Sequence, residues 1–149
     1  MRQIILIMLC LILLCGCSQY SLDKAKKNGD VVEGPGGPLN IDKLDIFKKD
    51  IDTNIKSTLR IVSYSDEGDP NIANLEFQGK RISYTYSTHE VYGSNKTKQS
   101  NTHCDALEIL DDQEVDVNIK TRYILSGCDK VIGLEGPKEG EILIYTIFK

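Results

Sequence analysis

The sequence predicts an α+β fold: one N-terminal helix packed on an antiparallel sheet of five or six strands, with one disulfide. Three observations carry that expectation. Residues 41 to 56 space their apolar side chains as an amphipathic helix does. Most of the chain after them alternates apolar and polar residues between short turn-forming runs. Two cysteines remain in the body of the chain once its first segment is set aside.

That first segment stands apart by composition. Arg2 precedes an unbroken apolar run from Ile4 to Leu14. The run suits the hydrophobic region of a signal peptide and falls short of the roughly 20 residues that a bilayer-spanning helix requires. It closes in Leu14-Cys15-Gly16-Cys17, which resembles the lipobox of bacterial lipoproteins: an aliphatic residue, two small residues, then the cysteine that is modified. Cys15 departs from the more usual Ala, Ser, Thr or Val but is small enough to fit. Cys10 and Cys15 follow Leu9 and Leu14, where the peptidase requires a small side chain. Residues 1–16 are therefore read as a lipoprotein signal peptide and Cys17 as the lipidation site, with an ordinary signal peptide as the rival. A diacylglyceryl thioether gains about 0.8 kcal/mol per buried methylene, and two acyl chains anchor stably where one does not. The expected location is the cell membrane, lipid-anchored on its extracytoplasmic side.

Residues 17–38 are polar, include Lys24, Lys26 and Lys27, and end in Gly34-Pro35-Gly36-Gly37-Pro38, so they read as a flexible tether. A single α+β domain is expected over residues 39–149. Its helix should start at Asn40 as N-cap, with Asp42 and Asp45 in the first turn and Leu44, Ile51 and Ile55 on the buried face. The core partners would be Ile61, Leu75, Ile82 or Tyr84, and Ile124. Strands are expected at 59–64, 72–78, 82–87, 102–110, 120–126 and 141–148, with 104–110 as an alternative short helix and 89–101 as an irregular loop.

The chain carries 18 basic and 22 acidic residues, a formal net charge of −4. It has no basic stripe and no basic–aromatic cluster, which argues against nucleic acid as a partner. Export would leave Cys104 and Cys128 as a pair, and outside the cytoplasm such a pair is usually a disulfide, with Cα atoms about 4.4 to 6.8 Å apart. The rival is a metal site of His89, His103, Cys104 and Cys128. Neighbouring His103 and Cys104 would point to opposite faces of a strand, and no spacing here matches a zinc motif. No metal and no cofactor is expected.

Asp66, Glu67 and Asp69 crowd into one turn. Closely spaced carboxylates suit calcium, but the EF-hand spacing is absent and Gly68-Asp69-Pro70 is ordinary turn chemistry. Asp111, Asp112, Glu114 and Asp116 form a second acidic run, read as an exposed loop. No Gly-x-Ser-x-Gly occurs, so no catalytic residue is assigned and the protein is not expected to be an enzyme. Tyr84, Tyr86, Tyr92 and Tyr123 are the aromatic candidates; Tyr84 and Tyr86 share a strand face, as core or as a binding surface.

Asn40-x-Asp42-Lys43-Leu44-x-x-Phe47, Arg60-Ile61-x-x-Tyr64, Glu67-Gly68-Asp69-Pro70, Gly79-Lys80 with Ile82 and Tyr84, and Tyr123-Ile124-Leu125-Ser126-x-Cys128 together resemble the domain of unknown function 4362 family of Bacillus-type lipoproteins. The resemblance runs from about Val31 to Cys128. It implies an envelope lipoprotein and brings no activity. The functional expectation is a non-enzymatic binding module of the cell envelope, facing an unknown envelope protein, peptide or wall component. The alternative is an inhibitor or immunity-type lipoprotein.

Overall fold

The structure, a computed structural model, describes residues 20–34, 36–90, 96–111 and 118–149. The lipobox, Cys17, Tyr92, Asp112, Glu114 and Asp116 lie outside the described residues. Among the described residues the protein is mostly β, with two helices, two sheets and one disulfide.

The chain is folded earlier than the tether expectation allows. Ser21 caps helix α1 (Leu22–Asn28), its hydroxyl accepting the Lys24 amide at 3.3 Å. Gly29 ends the helix with φ 70°; its N–H bonds to the Lys26 carbonyl and that of Asp30 to the Ala25 carbonyl, a Schellman end. Strand β1 (Val31–Glu33) follows, with Val31 and Val32 buried. The expected tether over 17–38 and the domain start at 39 are therefore corrected: α1 and β1 belong to the fold. The breaker-rich run after β1 misled the reading, because it connects two packed elements.

Helix α2 spans Asp42–Asp52, shorter than the expected 41–56. Asn40 is not its side-chain cap. It takes φ 56°, which Asn tolerates better than most residues, and its amide donates to the Asp30 carbonyl at 2.8 Å. Asn54 (φ 57°) stops the helix, with Asn54 N–H on Ile51 O and Ile55 N–H on Asp50 O. Past that reversal Ile55 no longer shares the helix face and is 55% exposed.

Strands β2 (Ser57–Tyr64), β3 (Pro70–Phe77), β4 (Ile82–Glu90) and β5 (Lys96–Cys104) form an antiparallel meander. β1 adds to its β2 edge in parallel, Val31 opposite Ile61 and Val32 opposite Val62. A parallel neighbour requires a crossover, which α2 supplies. The second sheet contains β6 (Ala106–Asp111), β7 (Ile119–Ser126), β8 (Leu134–Glu135) and β9 (Ile142–Phe148), in the order β6-β7-β9-β8.

Period-two alternation decides what each strand buries. Leu59 and Ile61, Ala73, Leu75 and Phe77, and Ile82 and Tyr84 point into one core. Leu107, Tyr123, Leu125, Ile142 and Tyr145 of the second sheet enter it, with Leu44 and Phe47 of α2. The single sheet of five or six strands and the first helix laid across it are thus corrected. There are two sheets, α1 comes first, and α2 packs Leu44, Phe47 and the half-buried Ile51 against a core that both sheets share. Ile124 is buried but outside that cluster, because it alternates with Tyr123 and Leu125. On the other face of the first sheet, α1 packs Ala25 against Val32 and Val62, joined by Tyr20, Leu22, Tyr64 and Ile72.

The expected loop at 89–101 contains the end of β4 and most of β5. β5 is almost all polar, so apolar alternation gave no signal; Tyr84 opposite Thr102 and Thr85 opposite Asn101 fix its register through backbone pairing. The helical alternative for 104–110 is not found. The chain leaves the first sheet at Cys104, passes Asp105 and enters the second sheet at Ala106.

Candidate binding cleft

A concavity of about 600 Å³ opens on the outer face of the first sheet beside α1. Asn28, Gly29 and Asp30 form one wall, Lys43 of α2 another, and Thr58, Arg60, Asn74 and Glu76 of β2 and β3 the floor. The floor is polar because these residues alternate with the core-facing Leu59 and Leu75.

Tyr20 organises its rim. The Tyr20 hydroxyl donates to the Asp30 carboxylate and accepts from the Asn28 amide at 2.7 Å and from Arg60 at 3.1 Å. The Arg60 guanidinium also lies 5.6 Å from the Tyr20 ring centroid, with the Lys24 ammonium 5.3 Å from the same ring, both in cation–π range. Arg60 Nε donates to Asn74 Oδ1 at 2.8 Å, and the Lys43 ammonium donates to the Gly29 carbonyl, tying α2 to the end of α1. Tyr64 donates to the Tyr20 carbonyl at 3.1 Å. Burial, then the neighbouring Tyr20 and Asp30, raise the Tyr64 pKa. The cleft thus offers donors and acceptors of both charges on a preorganised frame.

A smaller groove of about 310 Å³ runs between the β1–α2 connection and β9, lined by Glu33, Pro38, Ile41, Tyr145, Ile147 and Phe148. It is mainly apolar. Tyr145 is pushed up to about 12, by burial first and then by the Glu33 charge.

Cys104 and Cys128 are bridged, with Cα atoms 3.9 Å apart, closer than the expected span. Flanking backbone bonds draw the two segments together: Asp129 N–H to His103 O and Asp105 N–H to Ser126 O, each 2.9 Å. Arg81 gathers the same corner, donating to Asp105 (2.7 Å), Asp129 (3.0 Å), the His103 carbonyl (3.1 Å) and the Gly127 carbonyl (3.0 Å). The hydrogen bond to Asp129 leads in raising the Arg81 pKa, followed by its contact with Asp105. Sequence reasoning missed both Arg81 and Tyr20; each is an isolated residue beside a turn or a helix start, and nothing in its spacing marks it.

The remaining candidates are dispersed. His89 is hydrogen-bonded across the β4–β5 ladder to Thr97 at 2.9 Å, and His103 is exposed with Nδ1 3.9 Å from Asp129. Among the described residues no three His, Cys, Asp or Glu side chains converge as metal ligands would. The acidic turn is closed through Ser65, whose hydroxyl accepts the Asp69 amide at 3.1 Å and whose carbonyl accepts the Gly68 amide at 2.9 Å, with Gly68 at φ 85°. Asp66 and Glu67 face solvent. Tyr84 is core, Tyr86 is half-buried, and their rings stack at 6.4 Å.

An outer-face cleft on a two-sheet, disulfide-linked domain defines a class by architecture alone. A family model described as a domain of unknown function (DUF4362) matches residues 27–118, and the chain belongs to that family. The match starts before Val31 and ends just before β7, so Tyr123 to Cys128 lie beyond it. No curated protein and no solved structure matches the chain.

Proposed function

We propose that the protein is a lipoprotein cut before Cys17, anchored through lipid on that cysteine to the extracytoplasmic side of the cell membrane. Its folded part would be a non-enzymatic binding module of the cell envelope. The Leu14-Cys15-Gly16-Cys17 motif behind a short apolar run supports the anchor, and the Cys104–Cys128 bridge suits an oxidising compartment. Among the described residues no helix is long and apolar enough to cross a membrane.

The binding reading rests on one observation, the open polar cleft around Arg60. Its floor and walls bring basic and acidic side chains, with the Asn28 and Asn74 amides, onto one concave surface. A peptide or wall fragment carrying both charges would set its acidic groups on Arg60 and Lys43 and its basic groups on Glu76.

The test is photo-crosslinking in living cells, with the probe at Thr58 on the cleft floor. A product that forms in the wild type and fades in Arg60→Glu supports the reading. Crosslinking unchanged by Arg60→Glu rejects the cleft as the site.

A further inference from the structure

The early start of the fold has a consequence for how an anchored molecule would sit, and it rests on the Cys17 anchor proposed above. A flexible tether through residue 38 would hold the domain clear of the bilayer. Instead Tyr20 is already hydrogen-bonded to Asp30, Asn28 and Arg60, and α1 begins at Leu22. Three residue steps from Cys17 to Tyr20 span at most about 11 Å when fully extended. The first helix is therefore confined to the depth of the headgroup layer and the water just above it.

What α1 presents there is basic. Ala25 and Leu22 turn toward the sheet, whereas Lys24, Lys26 and Lys27 are exposed and Asp23 is the only acid on the helix. Among the described residues none of these lysines is in an ion pair. The whole chain carries a net charge of −4, whereas α1, with three lysines against Asp23, is net positive. We infer that α1 is a membrane-contact surface whose three lysines dock on anionic phospholipid headgroups. The domain then lies against the bilayer with the Arg60 cleft beside the headgroups. A lysine near an anionic surface favours contact by about fivefold, so the three together orient a domain that the acyl chains already hold.

Full-length lipidated protein reconstituted into vesicles tests this, using phosphatidylcholine alone or mixed with phosphatidylglycerol, with nitroxide on a fraction of the headgroups. Amide signals of Leu22–Asn28 should broaden more in the anionic vesicles, and a Lys26→Gln, Lys27→Gln variant with unchanged thermal unfolding should lose most of that excess. Equal broadening in both vesicles, or a variant that broadens like the wild type, overturns the contact. Metabolic fatty-acid labelling of the wild type and of Cys17→Ala is run alongside. A labelled wild type whose α1 ignores headgroup charge removes the contact alone; an unlabelled wild type removes the anchor and the contact with it.

Discussion

The Tyr123 hydroxyl donates to Asp45 Oδ1 at 2.8 Å, joining the second sheet to helix α2 across 78 positions of sequence. The tyrosine is 3% exposed while the carboxylate is at the surface, so one buried hydroxyl finds its acceptor at the edge of the core. The helix is therefore fixed by a directional bond as well as by Leu44 and Phe47.

Tyr123→Phe keeps the ring and deletes the bond. It should cost about 1 kcal/mol, the ordinary net value of a hydrogen bond, because the Asp45 carboxylate left behind is solvated. Urea unfolding of the two proteins measures it, and Asp45→Asn should cost less, since its amide oxygen still accepts.

Stability should fall at alkaline pH. Burial raises the pKa of Tyr84 and Tyr123, with Asp45 adding to the second, and Tyr145 is pushed up to about 12. Above pH ~10 an unfolded tyrosine loses its proton while these three keep theirs, so the native state binds more protons and stability declines with pH. For Tyr145 the contribution is complete below pH ~10 and is lost as pH rises toward 12. Tyrosinate absorbance should show a late-titrating fraction that shrinks in Tyr145→Phe.

Leu44 and Ile55 were both expected on the buried helix face, and they separate cleanly: Leu44 is fully buried and Ile55 is 55% exposed. Leu44→Ala should cost about 2 to 5 kcal/mol. Ile55→Ala should stay within about 0.5 kcal/mol. Chemical denaturation of both variants decides whether the helix ends at Asn54.

The corner between the sheets is tested at Gly127 and at the bridge. Gly127 has φ 63°, and a Cβ there would sit 2.9 Å from the Asp105 Cβ. Gly127→Ala should destabilise by about 1 to 3 kcal/mol. Cys104 and Cys128 should resist alkylation until a reductant is added. Opening their loop should then cost about 3.5 kcal/mol by chain-entropy arithmetic. Melting curves with and without reductant read this out.

The alternating strands were legible because burial of one face writes itself into the sequence at Leu59 and Ile61, at Leu75 and Phe77, and at Ile82 and Tyr84. The cysteine pairing was legible from chemistry. β5 was not, since an exposed edge strand needs only backbone partners and spends no apolar residue. The division into two sheets was hidden as well, because it turns on Asp105 and Gly127, whose roles depend on Arg81 from another hairpin. The cleft escaped notice for a related reason: Tyr20, Asp30 and Arg60 are ordinary residues until a parallel strand brings them together.

That parallel pairing also sets how the molecule answers force. A pull on the N-terminal end reaches α1 and β1 first, and β1 is joined to β2 over only three residue pairs. The covalent bridge, spanning a sequence separation of 24, keeps the enclosed segment from lengthening under load. The first part to peel away under tension would be α1 and β1, carrying Tyr20 and the Asn28–Asp30 wall of the cleft away from Arg60 while the two-sheet body stays intact.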